Sequence, residues 1–184
     1  MKFIDLAKKR YSLRKFDSKK VEQEKIDIIL EAARVAPTAV NYQPQRILVI
    51  QSDEALEKYK ECTLYHFNAP LAFLICYDKI ACWKDKAGKD SGVVDASIVT
   101  TQMMYAAEEL GLGSTWVGSF SYEKLREFFE LPEYLEPVAM LPVGYPAESA
   151  KPSHLHDKRF ELDKTVFTDS FKGIEPGEES DPNH

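Results

Sequence analysis

The longest apolar stretch of the chain constrains its fold most. From Gly92 to Leu110 most side chains are apolar or small, and charge occurs only at Asp95, Glu108 and Glu109. The stretch predicts a helix that ends at Gly111, because glycine is favoured just beyond a helix C-terminus. A helix that is apolar around most of its circumference must be covered on nearly all sides. We therefore expect a partner subunit to cover one of its faces.

Patterns elsewhere predict a mixed α and β chain. Helical spacing of apolar residues favours helices at 18–36, 55–60 and 122–129. Short apolar runs bounded by turn residues favour strands at 46–50, 71–77, 114–117 and 138–143. Asp17 or Ser18 is the expected cap of the first helix, and Pro37 is its expected stop. The fold class that follows is α/β in the broad sense that includes α+β.

The length of 184 residues fits one domain of ordinary size. We expect a single domain over residues 1–171. Within it, residues 151–171 lack regular periodicity, yet Phe160, Phe167 and Phe171 are too apolar for a free tail. This part is expected to be an arm that lies on a second subunit. Residues 172–184 are rich in Gly, Pro, Glu and Asp, which predicts a disordered acidic tail.

The overall composition excludes several classes of protein. A formal net charge of −6 without a basic stripe argues against nucleic-acid binding. The first nine residues carry charges and no apolar run, so they predict neither a signal peptide nor a membrane anchor. Three cysteines without C-x-x-C spacing are typical of reduced thiols, and the pair His154 and His156 is a weak metal signal. We expect a cytoplasmic protein without a metal or a membrane contact.

A compact cationic cluster follows the first few residues. Arg10, Ser12 and Arg14 place two guanidiniums and a hydroxyl within five positions, with Tyr11 between them. Guanidiniums fork two donors toward anionic oxygens, so the cluster favours a phosphate clamp. The alternative is a solvated helix face, where charges four residues apart are common. A second element between a helix and a strand, residues 37–44 with proline at both ends, favours the clamp.

Common nucleotide and hydrolase motifs are absent from the sequence. There is no G-x-G-x-x-G after a strand and no G-x-x-x-x-G-K-[ST]. Gly111, Gly113 and Gly118 follow a helix rather than open one, so they predict a C-cap and a turn. No G-x-S-x-G elbow occurs either. Hydrolysis through a covalent nucleophile is therefore not expected.

Taken in order, four groups of residues resemble the FMN-dependent nitroreductase family, in its small single-domain form. The groups are Arg10, Ser12 and Arg14; Ala36, Pro37, Thr38, Asn41, Gln43 and Pro44; Gly111, Leu112 and Gly113 with Trp116, Val117 and Gly118; and Lys158 with Arg159. The resemblance spans residues 3–171. It implies a three-layer fold, in which a central mixed but mostly antiparallel sheet is flanked by helices. It also implies an intertwined homodimer with FMN at the interface.

The resemblance further implies roles for individual residues. The phosphate and ribityl chain of FMN would be held by Arg10, Tyr11, Ser12 and Arg14, with Lys158 or Arg159 closing the phosphate site. The edge of the flavin would be lined, from the other subunit, by Pro37, Thr38, Ala39 and Asn41. The opposite side would be covered by Trp116, Val117 and Gly118, with a backbone N–H near flavin N5. No side chain is expected to be catalytic, because flavin N5 carries the chemistry.

The function implied is an FMN-dependent NAD(P)H oxidoreductase that reduces nitroaromatic or quinone-like acceptors by two electrons in a ping-pong cycle. One alternative is a reductive dehalogenase or other flavin enzyme on this fold, with a lid within residues 77–91. Another is a non-catalytic flavin-binding protein. The chain departs from the family pattern at Tyr11, Thr38 and Gln45. These departures leave FMN binding in place and bear on the choice of acceptor.

Overall fold

A computed structural model describes residues 2–174 and contains, within them, one four-stranded antiparallel sheet. The helices are α1 (Phe3–Lys9), α2 (Gln23–Arg34), α3 (Asp53–Cys62), α4 (Gly92–Glu109) and α5 (Tyr122–Phe129). The strands are β1 (Gln45–Ile50), β2 (Leu71–Asp78), β3 (Gly113–Ser114) and β4 (Leu135–Gly144), in the sheet order β1-β2-β4-β3. Short 3-10 turns lie at Ala39–Asn41 and Leu162–Lys164.

Strand β2 separates the two halves of the core. Successive side chains of a strand point to opposite faces of the sheet. On one face, Phe73 and Ile75 join a buried cluster with residues of α2 and α4. On the other face, Leu74 and Cys76 join a second cluster with residues of α3 and α5. The predicted three-layer arrangement is confirmed, and the continuous apolar run of β2 is explained by burial on both faces.

Several predicted elements have different bounds in the structure, and the differences at α2 and β3 have identifiable causes. The second helix begins at Gln23, not near residue 18, because the Asp17 side chain accepts from the N–H of Lys19 at 2.7 Å and forms a local turn instead of a cap. Strand β3 covers only Gly113–Ser114. Beyond it the chain leaves the sheet and rejoins β4 at Val117, whose N–H donates to the Met140 carbonyl at 2.9 Å.

Helix α4 is covered on one side only within the described chain. Val99 and Met103 are fully buried against α2 and the sheet. On the opposite side, Val93 is 52% exposed and Val94 is 60% exposed. Together with Phe3 of α1 they line an open apolar groove of about 530 Å³. Helix α4 thus has apolar residues on both sides, but the protomer itself buries only one of them.

The chain divides into two compact units, residues 1–153 and residues 154–184. In the second unit, Phe167 and Phe171 pack edge to face with ring centroids 5.6 Å apart, and Phe160 is 81% exposed. The predicted disordered tail lies outside the described residues from position 175 onward. A single domain over 1–171 stays a prediction. In the described part of the chain, no helix is both long and apolar enough to cross a bilayer.

Candidate functional site

The cationic cluster lies on a backbone segment that is fixed to the sheet. Ser12 forms a bridge beside Ser114 of β3, and the N–H of Leu13 donates to the Ser114 carbonyl at 3.0 Å. Leu13 is only 1% exposed and points into the core. Because successive side chains alternate along an extended segment, Arg14 lies on the face opposite Leu13, together with Ser12. The core position of Leu13 therefore turns the cluster outward.

The segment that follows β4 is held against the cluster by the backbone. The N–H of Asp17 donates to the Tyr145 carbonyl at 2.9 Å, and the N–H of Ala147 donates to the Lys15 carbonyl at 3.1 Å. These bonds place residues 149–153 beside the extended residues 12–16, which form single bridges at Ser12 and Phe16 and are called the N-terminal strand below. A cavity of about 390 Å³ opens between them, lined by Ser12, Leu13, Arg14, Lys15, Ser149, Ala150, Lys151 and Ser153. The lining carries three cations and no carboxylate.

Cations of the cluster and of the cavity lining have hydrogen-bond donors that no described residue uses. Nη1 of Arg10 is buried and has no hydrogen-bond partner among residues 2–174. Arg14 donates to the carbonyl of Ser12 at 3.3 Å, which leaves most of its guanidinium free. Within the described chain, neither Lys15 nor Lys151 forms an ion pair or a side-chain hydrogen bond. Such donors are suited to an anion.

Arg14 also lines a second cavity. It has a volume of about 290 Å³ and is lined by Arg14, Tyr65, Phe67, Thr115, Trp116, Val117, Gly118 and Ser119. Three of these residues are aromatic. Thr115 is 3% exposed, and its Oγ1 has no hydrogen-bond partner among the described residues. An aromatic cavity with an unpartnered hydroxyl suits a flat ligand that bears polar edge atoms. Arg14 lines both cavities.

The aromatic residues from the loop before β2 were not predicted as site residues. Thr63 holds this loop in place, because its hydroxyl donates to the Ser119 carbonyl at 2.7 Å and accepts from the N–H of Tyr65 at 3.1 Å. Phe67 has a φ of 51°, an unusual conformation for a bulky residue. No motif marks these positions in the sequence. Lys15, which was not predicted as a site residue either, could have been found from its position directly after Arg14 in the sequence.

The predicted turn Trp116–Gly118 is present where the aromatic cavity meets β4. Val117 is 4% exposed and is paired in both directions with Met140, each bond being 2.9 Å. Trp116 and Gly118 face outward on either side of it, and Trp116 is 36% exposed. The backbone N–H of Gly118 makes no hydrogen bond within the described chain. It is a free donor at the rim of the cavity.

The loop with the predicted residues Pro37, Thr38, Ala39 and Asn41 lies elsewhere in the protomer. Its anchor is Asp95, which is 2% exposed and accepts from the N–H of Ala39 at 2.8 Å and from the hydroxyl of Ser91 at 2.7 Å. Thr38 Oγ1 also accepts from the N–H of Gln43 at 3.1 Å. Positive φ angles at Val40 (53°), Asn41 (57°) and Gln43 (51°) make this a strained, defined loop.

The loop and the cationic cluster lie at opposite ends of α4. The loop is anchored at Asp95, whereas Lys9, next to the cluster, forms an ion pair with Glu108 at 3.0 Å. These two positions of α4 are separated by about 20 Å at the rise of an α-helix. The structure therefore does not join the two predicted halves of the site within one protomer.

Lys158 and Arg159 belong to the second unit. There, Nη1 of Arg159 donates to the carbonyls of His156 and Lys158, each at 2.7 Å. Both residues are exposed. Their predicted place in the phosphate site stays a prediction.

The pKa values of one tyrosine and two cysteines near the site are raised, which keeps these three groups neutral. Burial, with a smaller contribution from the charge of Glu108, raises the pKa of Tyr11. Burial raises the pKa of Cys76 to about 12 and that of Cys62 to about 11. All three cysteines are free and buried. Thiols with such pKa values are poor nucleophiles at neutral pH.

Residues 79–91 form a compact turn. The carboxylate of Asp85 accepts from the N–H groups of Ala87 and Lys89 at 2.8 and 2.9 Å, and the N–H of Ser91 donates to the Trp83 carbonyl at 2.9 Å. Trp83 is 37% exposed. Among residues 2–174, no group of three His, Cys, Asp or Glu side chains is arranged to hold a metal ion.

Fold and site together define a three-layer α/β protein with a cationic cavity beside an aromatic one. The chain belongs to the Nitroreductase family, whose sequence model matches residues 7–75 and 65–145. It is similar to a solved nitroreductase family protein from Clostridium difficile 630, with 43% identity, a TM-score of 0.87 and coverage of 92% of this chain and 99% of that one. The predicted family and fold are confirmed.

Two further similarities extend this comparison. A solved structure described as an FMN-dependent nitroreductase, from another strain of Clostridium difficile, is 30% identical with a TM-score of 0.76, and covers 91% of this chain and 100% of that one. A protein of Methanothermobacter thermautotrophicus, provisionally named NADH dehydrogenase/NAD(P)H nitroreductase, is 35% identical over 174 residues, which are 89% of this chain and 88% of the relative.

Proposed function

We propose that this protein is an FMN-dependent NAD(P)H oxidoreductase. The observation that carries the proposal is the position of Arg14, between an aromatic cavity and a cationic cavity. A flavin mononucleotide has the matching layout, a flat ring at one end and a phosphate at the other. The relatives with FMN-dependent or NAD(P)H-linked names support the same conclusion.

The residues present fit the cofactor. A phosphate monoester carries close to two negative charges at neutral pH. The cationic cavity offers unpaired donors and no lining carboxylate, and the buried Nη1 of Arg10 has no described protein partner. The aromatic cavity offers Trp116 and the unpartnered hydroxyl of Thr115. Cations with unused donors around a cavity without carboxylates favour its occupation by an anion.

Bound FMN supplies two-electron redox chemistry between a nicotinamide and an acceptor. The chain positions and polarises it. Arg14, which lines both cavities, would place a permanent positive charge beside the bound cofactor and would favour negative charge on it. The free N–H of Gly118 is a donor at the rim of the same cavity. Because the nearby thiols are held neutral by burial, we assign no covalent or acid-base role to a side chain.

We further propose that the protein is a homodimer in which each site uses two subunits. The exposed side of α4, with Val93, Val94 and Phe3, provides an apolar contact surface. A two-fold axis across α4 brings the far end of one protomer's helix to the near end of the other's. The loop of residues 37–43 then meets the partner's cationic cluster, which bridges the separation of about 20 Å along the helix. We propose that the part of the apolar segment 151–171 that follows the cavity-lining residues Lys151 and Ser153 lies on the partner as well.

The cycle proposed is ping-pong, with donor and acceptor entering the same pocket in turn. Aromatic lining residues Tyr65, Phe67 and Trp116 favour flat acceptors, such as nitroaromatics or quinones. The three buried, reduced thiols fit a cytoplasmic location.

Anaerobic reduction of the reconstituted protein tests this function. We expect NADH or NADPH to bleach the bound flavin. One molecule of a nitroarene or quinone, by accepting two electrons, should then restore the absorbance of one flavin. Bound flavin that neither nicotinamide reduces would instead identify a non-catalytic flavin-binding protein. Restoration only by a halogenated aromatic, with loss of halide, would identify a dehalogenase. The compact turn at 79–91 gives no specific support to the latter.

A further inference from the structure

The cationic cavity contains two lysines that no motif assigns. Lys15 follows the cluster directly, whereas Lys151 comes from the segment beyond β4. Backbone bonds from Ala147 to Lys15 and from Asp17 to Tyr145 fix the two segments side by side. The convergence of these charges is therefore a property of the fold rather than of flexible side chains alone.

Both lysines are available for a ligand. Most other lysines nearby are engaged: Lys9 pairs with Glu108 at 3.0 Å, and Lys19 pairs with Glu22 at 2.9 Å. Among residues 2–174, Lys15 and Lys151 have no such partner. Three like charges around one cavity repel each other when it is empty and gain most when a multivalent anion enters. Serines 12, 149 and 153 add hydroxyls to the same lining.

We infer that Lys15 and Lys151 are phosphate-binding residues that make the site selective for phosphorylated flavin. This rests on the proposed function and deepens it, since it assigns the cationic cavity to the phosphate and the aromatic cavity to the ring. Lys151 supplies the cation from the C-terminal side of the site, a role that sequence reasoning gave to Lys158 or Arg159. Selectivity for FMN over riboflavin, which has the same ring without the phosphate, follows from the charge of the cavity.

The test compares two flavins on flavin-depleted protein. FMN and riboflavin are titrated against the native chain, Lys151→Ala, Lys15→Ala and Lys151→Arg, and binding is followed by quenching of flavin fluorescence. We expect Lys151→Ala and Lys15→Ala each to weaken FMN binding about tenfold and leave riboflavin binding unchanged, as for loss of one charged hydrogen bond. Lys151→Arg should restore FMN binding. The difference in FMN affinity between the native chain and the alanine variants should become smaller as salt is added.

A matched control separates the local effect from net charge. Lys58→Ala removes a half-buried lysine of α3 that pairs with Glu54 at 2.8 Å and lines neither cavity, and it should change neither affinity. Equal loss of FMN and riboflavin binding in Lys151→Ala would overturn the inference, because it would indicate a structural lysine. Unchanged FMN affinity with a raised KM for NADPH relative to NADH would also overturn it, because the cavity would then bind the nicotinamide cofactor and not FMN. Failure of the native chain to bind either flavin would instead contradict the proposed function.

Discussion

The two ends of helix α4 prepare a ligand site in opposite ways. At the C-terminal end, backbone hydrogen bonds hold charged side chains that have few or no partners among the described residues, among them Arg14 and Lys151. At the N-terminal end, the side chain of Asp95 is fully engaged, and it holds a strained backbone loop in a defined shape. The C-terminal end, here called the charged end, contributes charged side chains. The N-terminal end, here called the shaped end, contributes a loop of defined shape. Substitution of the charged side chains at the first end should therefore affect ligand binding, and substitution of the anchor Asp95 at the second end should affect stability.

Arg14→Ala should have the largest effect. Loss of a guanidinium that faces the phosphate is expected to weaken FMN binding by about 3 kcal/mol, or more than a hundredfold. The melting temperature of flavin-free protein should hardly change, because the one hydrogen bond of the Arg14 side chain within residues 2–174 is a long one, to the Ser12 carbonyl at 3.3 Å. Flavin titration and thermal unfolding check the two parts. Arg34→Ala, an exposed arginine paired with Glu31, is the control, and an equal fall in both measurements for Arg14→Ala would indicate a structural arginine.

Asp95→Ala should show the opposite pattern. It removes a buried acceptor of two hydrogen bonds, from the N–H of Ala39 and the hydroxyl of Ser91. We expect the free energy of unfolding of the flavin-free protein to fall by about 2–3 kcal/mol. Ser91→Ala removes one of the two bonds and should cost about 1 kcal/mol. Urea unfolding measures both, and the comparison of the two ends fails if Asp95→Ala leaves stability unchanged.

Gly113→Ala should affect the charged end through its backbone. An added Cβ would lie 2.4 Å from Cδ2 and 2.9 Å from Cβ of Leu13, so the N-terminal strand must shift. Overpacking of this kind costs about 1–3 kcal/mol, and the shift should also displace Arg14. Gly118→Ala is the matched control, because its nearest contact is Trp116 Nε1 at 3.9 Å. Similar stability of the two variants would show that the close approach at Gly113 is unimportant.

The smallest expected effect is on the pH dependence of stability. It involves the hydrogen bonds of Tyr145, the residue that follows β4. The Tyr145 hydroxyl and then Lys19 donate to Glu22 and lower the pKa of its carboxyl from 4.5 to about 2. Since the folded pKa lies below the unfolded one, this contribution to stability is present above about pH 4.5 and is lost as the pH falls toward 2. Tyr145→Phe should flatten the loss of stability between these pH values in acid unfolding curves. An unchanged pH profile would contradict the assigned bond.

The sequence indicated candidate residues at both ends of α4 where they lie close together in the chain, and it missed residues that only the fold brings to the site. A cluster such as Arg10, Ser12 and Arg14 is visible because its chemistry lies in adjacent residues. Lys151 joins it only through backbone pairing across more than a hundred positions, and Phe67 joins the aromatic cavity only through the position of its loop. Both depend on tertiary structure. Element types were predicted because apolar periodicity reflects burial, whereas the start of α2 depended on one side-chain bond at Asp17.

The central claim is that each site joins the charged end of one protomer to the shaped end of its partner, and subunit mixing tests it most directly. Arg14→Ala protein is mixed with a Thr38→Ala, Asn41→Ala double variant, the subunits are exchanged, and bound FMN is counted. If the ends combine in trans, hybrid dimers regain one intact site each, and about a quarter of all sites should bind FMN as the native protein does. If both ends serve one protomer, every site stays damaged and mixing recovers nothing, which would contradict the account.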